Sequence, residues 1–165
     1  GTATEFNRKI LQKNTLVASI KMPIDIFIGK SNVQTSIYVF KVGEKHNEKQ
    51  RVKFIDFRND GYKRSNRKKA KASSNLQDVN SASERYQEVA DLVNFGSSYL
   101  NLLTKNEYVE STIALSGEDF GNDWNFDRHV IVDSKPNLED FQKTVSEYLA
   151  WEIQQVIKDE NTAGK

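Results

Sequence analysis

The sequence contains no cysteine, and this absence excludes disulfide bonds, zinc–thiolate sites and a cysteine nucleophile. No apolar run approaches the roughly 18 residues that a membrane-spanning helix needs, and the first residues do not follow the order of a secretory signal peptide. The chain begins at Gly1 without a methionine, which suggests an excised piece or a processed chain. We therefore expect a cytoplasmic protein with no membrane contact.

Glycine, proline and histidine are scarce as well. The 8 glycines are scattered, and none follows a predicted strand to open a helix, so the sequence has no phosphate-binding loop. The 2 prolines stand alone. The histidines, His46 and His129, have no serine or second histidine at a useful spacing, and we interpret both as surface or hydrogen-bonding residues.

What the chain does contain is enough apolar material for one core. It has 165 residues, of which 37% are hydrophobic, including nine Phe, six Tyr and two Trp. Trp124 and Trp151 are expected to pack in that core, with membership of an interface as the alternative. The net charge of +1 predicts no partner, but the positive charges are clustered.

Apolar spacing predicts a helix followed by strands in the first 58 residues. Residues 2–13 have helical spacing, with an apolar face of Phe6, Ile10 and Leu11. Residues 16–20 predict a buried strand.

Two further strands are predicted downstream. Residues 33–40 and 52–58 are rich in β-branched and aromatic side chains, and we expect the second strand to run antiparallel to the first. This order is typical of the last third of an open α/β sheet whose earlier strands are missing.

The second half of the chain predicts an α+β extension. A helix begins near Ser81, which has capping-box spacing to Glu84. We expect strands at residues 108–115 and 130–132, a loop at residues 116–127, and a helix from Pro136 to about Lys158. The predicted buried stripe of the first helix is Tyr86, Val89, Ala90 and Val93, and that of the second is Leu138, Phe141, Val145, Tyr148, Leu149 and Val156.

A dense basic run lies between these halves, with six cations among the nine residues 63–71 and Tyr62 beside them. Such a loop can neutralise phosphates and release counterions, which gives salt-sensitive binding to any nucleic-acid sequence. The alternative is a solvated surface loop.

Acidic residues cluster in residues 116–127, and paired carboxylates can bind metal or perform acid–base chemistry. Their spacing lacks the glycine and terminal glutamate of a calcium-binding EF-hand loop, so we interpret them as turn residues and helix caps. The residues are Glu118, Asp119, Asp123 and Asp127.

Several segments in order resemble the adenine-N6 DNA methylases that include the modification subunits of type I restriction systems. In that family a helix ending near "LL..N.L" precedes an apolar strand and a Leu/Met-Pro pair, then "LF" and "N-x-x-T-x-I-x-V-F". The matching segments here are residues 8–23, 26–27 and 32–40, followed by residues 60–62, 84–86, 123–125 and 135–150.

The resemblance implies the trailing part of a doubly wound, Rossmann-like methyltransferase sheet. Residues 1–58 would end that sheet, residues 59–80 would form a flexible basic connector, and residues 81–165 would form an α+β extension. The family's cofactor turn and its Asn/Asp-Pro-Pro-Tyr/Phe tetrapeptide are absent from this sequence. We therefore expect the fragment alone to be inactive, with no catalytic residue and no bound S-adenosylmethionine; the parent enzyme would use that cofactor.

The resemblance also implies contacts to DNA. Such enzymes flip the target adenine out of the duplex, and an aromatic residue in the loop after this strand stacks on it. By position that residue is Phe27, with packing in the core as the alternative. The expected contacts to the DNA backbone are Lys30, Lys63, Arg64, Arg67, Lys68 and Lys69.

Other partners follow from the same resemblance. A specificity subunit and other restriction–modification subunits are possible partners, and a truncated sheet predicts self-association through its exposed edge. The alternative function is a non-enzymatic nucleic-acid-binding or protein-interaction module without a methylase parent.

Overall fold

The structure is a computed structural model that describes residues 3–28, 30–65, 76–130, 138, 141–142 and 144–152. The chain divides into two compact units, residues 1–130 and residues 131–165. All of the described strands belong to the first unit. In chain order its main elements are α1 (Ala3–Leu11), β1 (Asn14–Lys21), β2 (Ser36–Val42), β3 (Val52–Asp56), β4 (Tyr62–Arg64), β5 (Leu76–Asp78), α2 (Ala82–Phe95) and β6 (Tyr108–Ser111).

The main sheet has four strands in the order β2-β1-β3-β6. β1 and β3 are parallel, whereas β2 pairs with β1 and β6 pairs with β3 in antiparallel orientation. The predicted α/β class is confirmed, as a mixed sheet with few helices. The segments predicted at 16–20 and 33–40 do share one sheet, although the second strand begins only at Ser36.

The predicted relation between the second and third strands needs correction. β3 runs opposite to β2, but the two do not pair, because β1 lies between them. The polar turn after β2 is therefore a crossover to the far side of β1. A hairpin was the simpler expectation because sequence-adjacent strands usually pair.

Both faces of the sheet are covered at the central strand β3, as the alternation along it shows. Val52 and Phe54 contribute to one apolar cluster together with Leu11 at the end of α1. Ile55 and Phe57 contribute to a second cluster on the other face, where Leu92 of α2 packs. A strand covered on both faces is rich in apolar residues, and four of the six residues 52–57 are apolar, with Lys53 and Asp56 as the exceptions.

Two predicted apolar faces are wrong in detail. On α1, Leu11 is buried but Phe6 is 67% exposed. On α2, Tyr86 and Ala90 of the predicted stripe are exposed, and the buried side is rotated by about one residue. It consists of Ala82, Arg85, Glu88, Val89 and Leu92.

The start of α2 also differs from the predicted capping box. Ser81 has a left-handed backbone conformation and makes no capping hydrogen bond with its side chain. Instead, the carboxylate of Asp78 accepts a hydrogen bond from the backbone N–H of Ala82 at 3.0 Å. A carboxylate at a helix N-terminus is favourable because it pairs with free N–H groups and with the helix dipole.

The segment predicted as a flexible connector contains regular structure at both of its described ends. β4 and β5 form a two-stranded antiparallel sheet in which Tyr62 pairs with Asp78. The N–H groups of Val79 and Asn80 donate to the carbonyl of Gly61, which ties the hairpin to the start of α2. The boundaries of the connector, placed after residue 58 and at residue 80, remain a prediction.

In the second unit, residues 138, 141–142 and 144–152 are helical. Trp151, predicted to pack, is 54% exposed, and the described members of the predicted stripe are exposed as well. Val156 and residues 131–132 of the last predicted strand lie outside the described residues. Among the described residues, no helix is long and apolar enough to cross a membrane.

Candidate nucleic-acid interface

The parallel strands β1 and β3 end at the same edge of the sheet. Lys21 lies opposite Asp56, and the N–H of Phe57 donates to the carbonyl of Lys21 at 2.8 Å. In open α/β sheets, ligands bind outside the carboxyl ends of the strands. This edge and the loops that leave it are therefore the candidate site.

The loop after β1 presents Phe27 to solvent. Its base is closed by the N–H of Met22, which donates to the carbonyl of Thr35 at 2.9 Å. At its tip, the N–H groups of Lys30 and Ser31 both donate to the carbonyl of Phe27. The Phe27 side chain is 50% exposed, so it does not pack in the core.

A buried carboxylate lies in the loop after β3. Asp60 is 1% exposed and accepts hydrogen bonds from the backbone N–H of Tyr62 at 3.0 Å and from the hydroxyl of Tyr86 at 2.8 Å. It also forms a two-pronged ion pair with Arg64. Burial raises the pKa of Asp60, but these hydrogen bonds outweigh it and hold that pKa below the ordinary value.

The cations predicted to contact DNA occupy different environments. Lys30 and Lys63 are exposed. Arg64 is only 11% exposed and its guanidinium also faces Asp25, with Nη1 3.3 Å from Oδ1. Because two carboxylates already occupy Arg64, it is less available to a phosphate than the lysines. Arg67, Lys68 and Lys69 lie outside the described residues.

Two acidic residues of the 116–127 loop, Asp123 and Asp127, have structural partners. Asp123 accepts a hydrogen bond from the N–H of Ala114 at 2.7 Å, and Asp127 pairs with Lys21 at 2.5 Å. Among the described residues, no group of three or more His, Asp or Glu side chains has the geometry to hold a metal ion.

The aromatic residues beside this loop pack in the sheet. Trp124 is buried against the rings of Tyr38 and Phe40, as predicted. His129 stacks on Phe54 at a centroid distance of 3.7 Å. His46 is buried, and its Nδ1 accepts a hydrogen bond from the N–H of Leu16 at 3.2 Å, so the hydrogen-bonding interpretation is the correct one.

Sequence reasoning missed two buried charges of α2. The Glu88 carboxylate accepts three backbone hydrogen bonds, from the N–H groups of residues 101, 102 and 103. Arg85 donates to the carbonyls of Asn59 and Leu102 and to the carboxylate of Glu107. Both lie in helical phase with the buried Ala82 and Leu92, but spacing gives no signal for them because polar residues are not counted toward an apolar face.

At the carboxyl ends of β1 and β3, the residues do not fit S-adenosylmethionine. Such a cofactor needs a glycine-containing turn where its backbone can approach closely after a parallel strand. β1 is followed by Met22 and Pro23, and β3 by Phe57, all of them buried. In the described part of the chain, neither strand is followed directly by a glycine, so both strand ends lack this feature of a cofactor site.

Comparison with known proteins identifies the family. The model of the N-6 DNA methylases matches residues 1–115, and the chain therefore belongs to the N-6 DNA methylase family. This confirms the resemblance and argues against a module with no methylase relationship.

Two individual proteins are similar. The type II restriction enzyme and methyltransferase RM.BcgI of Heyndrickxia coagulans is 27% identical over 146 residues, which cover 88% of this chain and 20% of the relative. The chain thus spans about a fifth of that relative's length. A chain from a structural study of assembly and conformational transition in the type I R-M system is 15% identical, with a TM-score of 0.43, over 96% of this chain and 31% of that one.

Proposed function

We propose that this chain is the C-terminal part of an S-adenosylmethionine-dependent adenine-N6 DNA methyltransferase of a restriction–modification system. Its sheet would continue a doubly wound, Rossmann-like catalytic sheet beyond the strands that bind the cofactor. The Asn/Asp-Pro-Pro-Tyr/Phe tetrapeptide and the cofactor turn would come from residues outside this sequence. Alone, the chain would transfer no methyl group.

In this proposal the chain contributes contacts to DNA. Phe27 stacks on the adenine that has been flipped out of the duplex, because an aromatic face replaces the stacking that the base gives up. Lys30 and Lys63 contact phosphates, together with Arg67, Lys68 and Lys69. The observation that carries the proposal is the exposed ring of Phe27 at the carboxyl edge of two parallel strands in a chain of this family.

The proposal extends to partners and location. A specificity subunit or other restriction–modification subunits would assemble with the enzyme that contains this chain. Such an enzyme would act on DNA in the cytoplasm. The exposed apolar residues of the second unit, including Phe141 and Trp151, give that unit a surface suited to a partner chain.

The test is Phe27→Ala in the full-length methylase that contains this chain. Removal of a stacking partner worth about 1–3 kcal/mol should lower single-turnover methylation of duplex DNA about 5- to 150-fold. Binding of S-adenosylmethionine, measured by calorimetry, should be unchanged.

The matched control is Phe6→Ala, because Phe6 is an exposed phenylalanine on α1. It should leave the methylation rate at the wild-type value. Unchanged turnover in Phe27→Ala would remove Phe27 from the site.

A further inference from the structure

Four side chains from four segments meet beside the Phe27 loop. Asp60 follows β3, Arg64 lies in β4 and Tyr86 lies in α2, and these three are linked through the buried Asp60 carboxylate. Asp25 lies in the loop after β1, two residues before Phe27, and is linked to the others through Arg64.

Arg64 is a well-anchored partner for Asp25. Both of its terminal nitrogens bond to Asp60, whose own position is set by the N–H of Tyr62 and the hydroxyl of Tyr86. An ordinary surface ion pair contributes little because two long side chains must give up their freedom to form it. Arg64 is already held in place by Asp60, so the cost of pairing with Asp25 is reduced.

The loop itself is held on either side of Phe27. Ile26 packs against the apolar cluster that contains Phe57 and Leu92. The N–H of Ile28 donates to the carbonyl of Asp25 at 3.0 Å. The side chain of Asp25 therefore ties a compact turn, with Phe27 at its exposed side, to the anchored guanidinium.

We propose that Asp25 is a positioning residue, and that its ion pair with Arg64 orients the turn that presents Phe27 to the extruded base. This inference rests on the proposed function and assigns Arg64 to that pair instead of to a DNA phosphate. The charges agree with this assignment: Asp25, Asp60 and Arg64 together carry a formal charge of −1, which does not attract a phosphate.

The experiment is a double-mutant cycle in the full-length methylase, with Asp25→Asn, Phe27→Ala and the double variant. Asp25→Asn removes the charge but leaves Asp60 paired with Arg64, so the buried cluster stays intact. It should lower the single-turnover rate about two- to fivefold. In the Phe27→Ala background the same change should have no further effect, because Asp25 acts through Phe27.

A spectroscopic readout accompanies the rates. The target adenine is replaced by 2-aminopurine, whose fluorescence rises when the base leaves the stack. Asp25→Asn should change this rise in the same direction as Phe27→Ala does, because both variants disturb the stacking of Phe27 on the extruded base. The matched control is Glu44→Gln, which breaks an exposed ion pair with Lys41 and should change neither the rate nor the fluorescence.

The outcomes separate the two proposals. If Phe27→Ala lowers the rate and Asp25→Asn matches Glu44→Gln, the positioning role is wrong and the proposed function stands. Rate reductions that multiply in the double variant also overturn the positioning role, since they show independent action. An unaffected rate in Phe27→Ala overturns both.

Discussion

At the scale of single residues, buried charges explain much of the structure. Asp60, Arg85 and Glu88 are each at most 6% exposed, and burial of an unpaired charge is costly. Each has several hydrogen-bond partners, and each joins segments that are distant in sequence. These residues therefore hold the loops around α2 in position.

His46 gives a prediction about pH. Burial lowers the pKa of this histidine from the ordinary 6.5, and the nearby charge of Asp123 offsets part of that effect. Below about pH 6.5 the unfolded chain therefore binds a proton that folded His46 resists, so the free energy of unfolding should fall as the pH drops from 7 toward 5. Urea titrations of this chain at several pH values measure this decrease in the free energy of unfolding.

The control for this prediction is His46→Asn, whose side-chain oxygen can still accept the hydrogen bond of the Leu16 N–H. It should flatten the slope between pH 5 and pH 7. Asp56 and Asp60 do not interfere there, because their pKa values are lowered from 3.8 and their contribution disappears only at still lower pH. Equal slopes in both proteins would contradict the assignment to His46.

At the scale of elements, Gly61 determines how the β4–β5 hairpin meets α2. Its φ is +90°, and a Cβ built on it would lie 2.7 Å from both the Cα of Ala82 and the carbonyl oxygen of Asn80. Gly61→Ala should lower the free energy of unfolding by about 2–4 kcal/mol, because these close approaches involve backbone that cannot easily shift.

Gly43 supplies the matched control. Its φ is +83°, but a Cβ there would meet nothing within 4 Å. Gly43→Ala should cost about 1 kcal/mol from backbone conformation alone. If chemical denaturation gives equal decreases in stability for the two variants, the close packing of Gly61 against α2 contributes nothing to stability.

Among the strands and helices, some could be predicted from the sequence and others could not. The buried strands β1 and β3 were predictable because short segments rich in apolar, β-branched and aromatic residues favour strands. The buried face of α2 was not, because Arg85 and Glu88 count as polar in any periodicity argument. Their burial depends on partners, such as Glu107, that only the tertiary structure brings near.

The candidate site could also be predicted only in part. The place of Phe27 after β1 was predictable from the family resemblance, since Pro23 marks the end of the strand. The ion pairs of Arg64 with Asp60 and Asp25 were not predictable, because a basic run gives no indication of which cation will pair with a buried carboxylate. Asp60 is four residues before Arg64, a spacing that is common by chance.

At the scale of the whole molecule, the basic segment predicts salt-dependent DNA binding. Changing Lys63, Arg67, Lys68 and Lys69 to Gln should reduce the slope of log affinity against log salt by about 0.9 for each phosphate that is no longer neutralised. Arg64 is left in place so that Asp60 stays paired. Fluorescence anisotropy with a labelled duplex measures the slope.

Four exposed lysines elsewhere on the first unit give a control with the same change in charge. These are Lys9, Lys41, Lys45 and Lys49. Their replacement by Gln should alter the slope much less. If the two sets behave alike, the basic segment acts only through overall charge.

The edge of the main sheet predicts self-association. β2 has no second neighbour among the described strands, and Ile37 and Val42 on it are exposed, Val42 to 82%. Unpaired edges with apolar side chains template pairing with another chain. Sedimentation velocity of this chain should show association that rises with concentration and falls in Val42→Lys; a strictly monomeric profile would contradict it.

The path of the chain through the sheet has a consequence for how the sheet forms. Pairing of Lys21 with Ser36 closes a loop of about 15 residues (36 − 21), whereas pairing of Ile55 with Tyr108 closes one of about 53 (108 − 55). Closure entropy grows with the logarithm of loop length, so the longer loop costs only about 1.1 kcal/mol more. The long connection from β3 through α2 to the edge strand β6 therefore carries only a small thermodynamic penalty.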